Sequence, residues 1–418
     1  MWRCTVVSLV VLFSLESYDA NANRRIRRLS EEEYKELERT CGRHVQSVKK
    51  RAAQEWPEPA VSEGIPANKD EFPWALKMAT LVGNYGSEMC TAQVISKWHV
   101  VAAAHCLEFT NKGVRDVNVA TKISLYGGSY CITSDDLHIE RKLNCSRRDP
   151  PKSRRLRVKS FVITESSVHY VIHGMCGEKA AASLPHSDLV ILELESPLNI
   201  SDPSIRPICL ASPLQEIPHQ NRIYGFGATE SAEKNHAENI ELHWLFDGEV
   251  MSEEQCQVNF PYNGCDRVIA TTHTKSTKRS VCKGDSGGGL SAVVNKRHTL
   301  FGILSKSYGY CSHLDEPWRE FFELASKVSA FHDFFCYHTG ICSLGYDVYL
   351  DFTYPFDPER YVVVEKGLGD SSLLNVEDGV CVNGQMMSRS SCASLNSIFI
   401  ASTTFFLSFC IFPVWLKL

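Results

Sequence analysis

Three short segments of the sequence hold the residue types that make a serine hydroxyl reactive. His105 follows the apolar run Val-Ala-Ala-Ala, Asp188 precedes the run Leu-Val-Ile-Leu, and Ser286 lies within Gly-Asp-Ser-Gly-Gly. A serine hydroxyl becomes a nucleophile when a base takes its proton during the attack, and histidine is suited to that role. A carboxylate on the other imidazole nitrogen fixes the tautomer and stabilises the imidazolium. The three residues together therefore predict covalent catalysis by Ser286.

Each of these residues alone has an ordinary structural explanation, because a histidine beside a cysteine is usually structural and Gly-Asp-Ser is usually a turn. Together, in the chain order His, Asp, Ser, the segments resemble the trypsin/chymotrypsin family over roughly residues 61–342. The resemblance implies a catalytic triad of His105, Asp188 and Ser286, with an oxyanion hole formed by the backbone N–H groups of Gly284 and Ser286. It also implies hydrolysis of peptide bonds in protein or peptide substrates, through an acyl-enzyme and without a cofactor.

The repeating pattern of the chain agrees with this resemblance on the fold. From residue 72 onward, short apolar runs alternate with Gly, Asn and Ser, which predicts strands over residues 74–82, 93–101, 189–194, 222–226 and 300–304. Apolar residues near helical spacing within residues 318–335 predict a helix. We expect an all-β, chymotrypsin-like protein with two six-stranded antiparallel β-barrels and a C-terminal helix.

The resemblance further implies three disulfide bonds. Cys90 would pair with Cys106 beside the histidine, and Cys282 with Cys311 across the substrate pocket. A bond between Cys41 and Cys209 would keep the preceding segment attached after cleavage. Spacing alone does not pair a further set of cysteines, which are Cys131, Cys145, Cys176, Cys256, Cys265, Cys336, Cys342 and Cys381. The spacing of Cys and His residues lacks the two-pair pattern of zinc ligands, so no metal site is predicted.

The activation segment departs from the family pattern. In the family, cleavage creates an apolar N-terminus whose ammonium pairs with the Asp before the catalytic serine. The corresponding residues here are Val61 and Asp285, within Val-Ser-Glu-Gly and Gly-Asp-Ser. Because Ala60 precedes the cut, a trypsin-like activating protease is not expected there.

The substrate pocket departs further. Its base falls on the neutral Ser280, where an Asp would select Arg or Lys, and its wall contains Ser307 and Trp318. The indole would occupy space that a long substrate side chain needs. We expect a shallow pocket that prefers small uncharged residues, or one that Trp318 closes altogether. A long pre-domain segment, large insertions and a C-terminal extension also resemble the divergent trypsin-like proteins of nematodes.

Composition and the N-terminus indicate export. The chain of 418 residues has 17 cysteines, a density typical of an oxidising compartment. Residues 1–22 have the basic start, apolar centre and small-residue cleavage site of a signal peptide. Residues 23–60 then read as a pro-segment, in which Ser30 and Glu33 form a capping box that opens a helix and Cys41-Gly42 ends it.

The C-terminus is predicted to hold the protein at a membrane. An acidic extension over residues 343–396, which we expect to be irregular, precedes an apolar tail over residues 397–418. The tail is long enough for a membrane helix, and small residues just before it also fit a removable lipid-anchor signal. A buried core helix is the third alternative.

Charge is concentrated in one basic segment, residues 141–159, which we expect to be an exposed loop. It would bind an acidic polysaccharide or acidic protein segment, although a merely solvated loop or a self-cleavage site is an equal alternative. The net charge of −5 gives no reason to expect nucleic acid. Asn144 and Asn199 lie in Asn-x-Ser glycosylation sequons.

Two further function classes stay open beside a secreted or surface-anchored serine endopeptidase. The altered activation site and Trp318 favour a binding or decoy module that keeps the fold without turnover. A purely structural surface protein is the other. Reaction of Ser286 with a covalent serine probe separates the first class from these two.

Overall fold

The structure is a computed structural model that describes part of the chain in separate ranges of residues. They are residues 26–43, 64–82, 86–107, 109–111, 114–116, 122–132, 151–163, 188–228, 241–246, 249–260, 265–273, 281–308, 321–342, 362–365, 380–382 and 385–387.

Strands dominate this part of the chain, as the short apolar runs predict. In chain order they are β1 (Ile65–Pro66), β2 (Ala75–Val82), β3 (Gly86–Val94), β4 (His99–Ala102), β5 (Phe109–Asn111), β6 (Val114–Asp116), β7 (Lys122–Gly127), β8 (Arg154–Ile163), β9 (Val190–Leu194), β10 (Cys209–Leu210), β11 (Asn221–Gly225), β12 (His243–Phe246), β13 (Glu249–Val250), β14 (Val268–His273), β15 (Gly289–Val294), β16 (Arg297–Tyr308), β17 (Phe321–Lys327), β18 (Val362–Glu365), β19 (Val380–Val382) and β20 (Gln385–Met387).

The first sheet closes into a six-stranded antiparallel barrel. Its order is β8-β7-β2-β3-β4-β9, and pairing of β8 with β9 completes the ring. The inner strands β4 and β9 are buried along their whole length, as expected for strands at the centre of a core. Closure leaves no free edge between these strands.

The second sheet is a curled half-barrel among the described residues. Its path runs β1-β12-β11-β15-β16-β17-β14-β13, and the short β10 pairs with β16 in parallel. One apolar cluster extends from the first barrel into the second sheet, where it includes Tyr224, Trp244 and Ile303. The two sheets with their shared core form a chymotrypsin-like two-barrel fold, so the predicted fold class is confirmed.

Three α-helices accompany the sheets in the described ranges: α1 (Glu31–Thr40), α2 (Glu253–Asn259) and α3 (His332–Thr339). Helix α1 begins as predicted, because the Ser30 hydroxyl accepts from the Glu33 backbone N–H while the Glu33 carboxylate accepts from the Ser30 N–H. None of these helices is long and apolar enough to cross a membrane.

The predicted pro-segment is built into the core. Ile26 and Leu37 are buried in the same apolar cluster as the barrel, and the Leu29 N–H donates to the carbonyl oxygen of Thr339 in α3. The indole N–H of Trp98 donates to Glu33 at 3.1 Å, and Arg27 stacks on the same indole. Residues 26–43 are therefore part of the folded domain.

Two strand and helix predictions were wrong in part. The run 93–101 is not one strand, because a turn at residues 95–98 divides it between β3 and β4. The helical pattern over 318–335 begins with β17, and the helix α3 starts only at His332. Pairing of β17 with both β14 and β16 outweighs the helical spacing of its apolar residues, since both edges of the strand are satisfied in the sheet.

The basic segment and the C-terminal extension also differ from expectation. Residues 154–159 were predicted to be an exposed loop but lie in β8, where Arg155, Arg157 and Lys159 are exposed and alternate with more buried residues. The extension was predicted to be irregular, yet β18 within it pairs with β8. The backbone groups of β18 form hydrogen bonds with the end of β8, a pairing that the composition of the extension does not predict.

Candidate active site

His105 lies between Asp188 and Ser286. Its Nε2 is 2.8 Å from the Ser286 hydroxyl oxygen, and its Nδ1 is 2.6 Å from Asp188 Oδ2. The His105 backbone N–H also donates to Asp188 Oδ1 at 2.8 Å. Both imidazole nitrogens are therefore engaged, with the carboxylate on one side and the hydroxyl on the other. This is the arrangement in which Nδ1 carries the proton and Nε2 accepts the hydrogen bond from the hydroxyl.

The strands of the first barrel bring His105 and Asp188 together. His105 lies in a short 3₁₀ helix, Ala104–Leu107, directly after β4, and Asp188 lies two residues before β9. Antiparallel pairing of β4 with β9 places Ala102 opposite Val190, so the two side chains meet just beyond the end of the pair. A histidine and an aspartate 83 residues apart in sequence thus share one edge of the barrel.

Asp188 is held ionised by its surroundings. Burial by itself raises the pKa of this carboxyl, but the charge of His105 and hydrogen bonds from His105 and Ser305 outweigh burial and lower its pKa below the ordinary value. The Ser305 hydroxyl donates to Asp188 Oδ2 at 2.7 Å. No sign of this contact appears in the sequence, because no motif links Ser305 to Asp188.

The turn before β15 shapes the surroundings of Ser286. Gly284 has a φ of +98°, a region that L-residues with a side chain rarely adopt. The Ser286 carbonyl accepts from the Thr91 N–H at 2.8 Å, and the Gly284 carbonyl accepts from the Thr91 hydroxyl at 3.0 Å. Within the described ranges, the backbone N–H groups of Gly284 and Ser286 donate to no protein acceptor. Two N–H groups beside the hydroxyl are thus available to a substrate oxygen.

Asp285 points away from this opening into the protein. Its carboxylate accepts from the backbone N–H of Gly227 at 2.7 Å and from that of Cys282 at 2.8 Å. Burial raises the pKa of Asp285 to about 6, against the two hydrogen bonds and the charge of Lys77, which lower it. This carboxylate joins the turn that carries Ser286 to the end of β11.

Disulfide bonds fix both sides of the site. Cys90 and Cys106 are bonded next to His105, and Cys41 is bonded to Cys209. Cys282 is also disulfide-bonded, but its expected partner Cys311 lies outside the described residues. Spacing did not reveal the bonds between Cys256 and Cys265 and between Cys336 and Cys342.

One group of metal-ligand side chains occurs near the site, formed by Cys90, His105 and Cys106. A disulfide bond joins its two cysteines, so neither sulfur is a thiolate that could bind a metal. The only ligand left in this group is His105, which contacts Ser286 and Asp188 instead. The group does not fit a metal ion.

The predicted pocket is described only in part. Ser307 lies in β16, directly opposite Glu323 in β17, while Ser280 and Trp318 lie outside the described residues, as do Val61 and Asn144. Side chains directly opposite each other in a sheet share a face. Glu323 is buried and accepts a hydrogen bond from the Thr271 hydroxyl. Sequence reasoning missed this carboxylate because no motif marks it.

The two-barrel fold, with His105, Asp188 and Ser286 in contact between the sheets, defines a protein of the trypsin-like protease fold. The model of the nematode trypsin-6-like family matches residues 13–342, which include all three residues. The chain belongs to this family. The prediction of a divergent, nematode-type relative of trypsin is therefore confirmed.

Proposed function

We propose that this protein is a serine endopeptidase that hydrolyses peptide bonds through an acyl-enzyme on Ser286. The observation that carries the proposal is the 2.8 Å contact between His105 Nε2 and the Ser286 hydroxyl, with Asp188 on the opposite side of the imidazole. A base within hydrogen-bond reach of a nucleophile, itself oriented by a third group, is the arrangement that activates serine.

The reaction would follow from this geometry in two halves. Ser286 Oγ attacks the carbonyl carbon of the substrate while its proton moves to His105 Nε2, and Asp188 stabilises the resulting imidazolium. The oxyanion accepts hydrogen bonds from the N–H groups of Gly284 and Ser286. His105 then protonates the leaving amine as the C–N bond breaks. Water, deprotonated by His105, hydrolyses the ester and regenerates the Ser286 hydroxyl.

A fluorophosphonate probe tests the nucleophile directly. We expect the probe to label the wild type and to leave Ser286→Ala unlabelled, with secretion unchanged, because the substitution removes a hydroxyl but little packing. Ser212→Ala is the matched control, since Ser212 is a part-exposed serine outside this site. It should label like the wild type. If wild type stays unlabelled both before and after proteolysis between residues 44 and 63, the binding-module alternative replaces the proposal.

Cleavage before Val61 belongs to the same proposal. A new N-terminus at Val61 would place its ammonium on Asp285, as in the family pattern. Strand β1, which begins four residues after Val61, is anchored to β12, and Asp285 is half-buried at the end of β11. N-terminal sequencing of the cleaved protein checks this start.

We also propose export, with the mature protein secreted or anchored at the cell surface. Four disulfide bonds join described cysteines, a feature typical of oxidising compartments. Asn199 is exposed, which suits a glycosylation site, and Asn144 is proposed as a second. A glycosidase that removes N-linked glycans should increase gel mobility, and the Asn144→Gln/Asn199→Gln variant should not respond.

The apolar tail is the proposed anchor. Deleting residues 397–418 should move the protein from the cell surface into the medium. A phospholipase specific for lipid anchors should release the wild type if the tail is a removable signal. Persistence at the surface indicates a membrane helix, and an unchanged location of the deleted form contradicts anchoring by the tail.

A further inference from the structure

Lys77 is a lysine in an unusual place. It lies on β2 in the closed barrel and is 1% exposed, although burying an ammonium is strongly unfavourable unless an opposite charge or hydrogen bonds compensate. Its Nζ lies 5.9 Å from the centroid of the Phe226 ring. The ammonium therefore reaches from the first barrel toward the end of β11.

The residues on either side of Phe226 touch a second charged group, the carboxylate of Asp285. The Gly227 N–H donates to Asp285 Oδ1 at 2.7 Å, and a Cβ on Gly227 would lie 2.3 Å from Asp285 Cγ. A Cβ on Gly225 would lie 2.3 Å from Asp285 Oδ1. The Asp285 carboxylate thus packs on the backbone of residues 225–227. The ring of the middle residue, Phe226, faces Lys77.

The sheet register gives a second, independent connection. Lys77 on β2 lies directly opposite Thr91 on β3, so their side chains share a face. The Thr91 hydroxyl donates to the Gly284 carbonyl and accepts from the Phe226 N–H at 2.9 Å. The cross-strand neighbour of Lys77 therefore contacts both segments that enclose Asp285.

We propose that Lys77 is a positioning residue that supplies the counter-charge of Asp285 in the uncut chain. The Gly284–Ser286 turn would then keep its reactive shape without a newly formed N-terminus. This inference rests on the proposed function of Ser286. In the described structure His105 contacts Ser286 while Asp285 holds both the Gly227 and the Cys282 N–H.

The charges around Asp285 are consistent with this assignment. Lys77 on β2 is the described charged group whose field lowers the pKa of Asp285, against the burial that raises it to about 6. From β3, the neutral Thr91 contacts the Phe226 N–H and the Gly284 carbonyl on either side of Asp285. His105 and Asp188, near the neighbouring Ser286, are engaged with each other.

A double-mutant cycle tests the charge pair without catalysis. Lys77→Met, Asp285→Asn and the double variant are made in full-length Ser286→Ala protein, and urea unfolding is measured at pH 8 and pH 4. At pH 8 we expect Lys77→Met to lower the folding equilibrium constant at least about tenfold more when Asp285 is present than in Asp285→Asn.

At pH 4 that difference should vanish, because Asp285 with a pKa near 6 is protonated. The proposal that Lys77 is the counter-charge of Asp285 is overturned if the extra effect of Lys77→Met in the presence of Asp285 is absent at pH 8. It is also overturned if that extra effect is equal at both pH values. If Lys77→Met does not fold at pH 8, folding of the neutral Lys77→Met/Asp285→Asn variant under the same conditions supports the proposal. If neither variant folds, the proposal is overturned.

Labelling of uncut protein tests the positioning role. A reducing gel verifies that the chain is intact, and the rate of fluorophosphonate labelling is then compared for wild type, Lys77→Met and Lys77→Arg. We expect uncut wild type to react, Lys77→Met to react at least about tenfold more slowly, and Lys77→Arg to recover part of the rate because its charge is kept. The pH dependence of the rate should change only in Lys77→Met.

Equal rates for uncut wild type and Lys77→Met overturn the proposal, as does wild type that reacts only after cleavage before Val61. Absence of labelling in every form, cut or uncut, means that the proposed peptidase function fails. In that case the pH-dependent cycle alone decides whether Lys77 is the counter-charge of Asp285, so the two failures are distinguishable.

Discussion

The backbone N–H of Thr91 donates to the carbonyl oxygen of Ser286 at 2.8 Å, which joins a strand of the closed barrel to the turn that precedes β15 in the second sheet. The Thr91 hydroxyl adds a bond to the Gly284 carbonyl. One threonine thus holds both ends of the Gly284–Ser286 turn. The position of Ser286 relative to His105 depends on this contact between the sheets.

Thr91→Val should therefore reduce turnover more than folding. We expect kcat/KM to fall about 10- to 100-fold, mostly in kcat, because the turn loses the hydroxyl that sets the position of Gly284. The free energy of unfolding should fall by about 1–2 kcal/mol. Thr339→Val is the matched control, since its buried hydroxyl also donates to a carbonyl and accepts from an N–H. Equal loss of activity in both variants contradicts a positioning role for Thr91.

The predicted pro-segment, residues 23–60, should stay bound to the rest of the protein after cleavage. We expect proteolysis between residues 44 and 60 to give two chains that separate on a denaturing gel only after reduction, because Cys41 is bonded to Cys209. In native buffer with a reductant, size exclusion should still show one species, since Ile26 and Leu37 are buried in the core. Trp98→Ala removes the contact with Glu33 and should release part of the segment. Complete separation of the wild-type chains on mild reduction contradicts this prediction.

Docking of this segment should weaken in acid through His99. The His99 ring contacts the Ser96 hydroxyl through Nδ1 and the Arg27 carbonyl through Nε2, and burial lowers its pKa to about 4. The charges of Glu33 and Glu193 act in the opposite direction. The folded state favours neutral His99, so its contribution to stability is complete above the unfolded pKa near 6.5 and is lost as pH falls toward 4.

Over that interval the wild type should lose up to about 3 kcal/mol more than His99→Gln, whose side chain does not titrate. Urea unfolding at pH 7, 5.5 and 4 measures the difference. His219→Gln is the control, because His219 lies at the surface. If the free energy of unfolding falls with pH by the same amount in wild type and in His99→Gln, protonation of His99 is not the cause of the loss.

Substrate preference should follow the neutral base of the pocket. With Ser280 as the base and Trp318 in the wall, we expect a peptide library to be cleaved after Ala, Val or Ser, since a buried substrate cation would lack a partner. Glu323, directly opposite Ser307, is a carboxylate that would pair with a substrate Arg or Lys if it faced the pocket. Strong cleavage after Arg or Lys that disappears in Glu323→Gln contradicts the preference for small residues. Activity that appears only in Trp318→Gly shows that the indole closes the pocket.

The exposed cations of β8 should bind a sulfated polysaccharide. Arg155 and Arg157 point to one side of the strand, and their combined potential attracts polyanions in a salt-dependent way. Arg155→Ala/Arg157→Ala should elute from heparin at lower salt than the wild type. Lys35→Ala/Arg39→Ala on α1 makes the same change in net charge and should have a smaller effect. An elution position that neither variant changes contradicts binding at β8.

The sequence by itself determined the features that depend on local chemistry. The residue types around His105, Asp188 and Ser286 were sufficient to predict their contact, and Ser30 with Glu33 was sufficient to predict where α1 begins. A capping box acts over three residues, and catalysis admits few residue types at each position, so both leave a readable pattern.

Only the tertiary structure decided what depends on pairing between distant segments. The apolar spacing of β17 fits a helix, but pairing with β14 and β16 makes the segment a strand. The basic residues of β8 are typical of a loop, but pairing with β9 in the closed barrel makes that segment a strand as well. Lys77 and Asp285 are 208 positions apart by their numbers and carry no shared motif. Their neighbourhood exists because β2 pairs with β3, and Thr91 on β3 contacts the turn at Ser286. Long-range contacts of this kind are set by the whole fold, which no local pattern encodes.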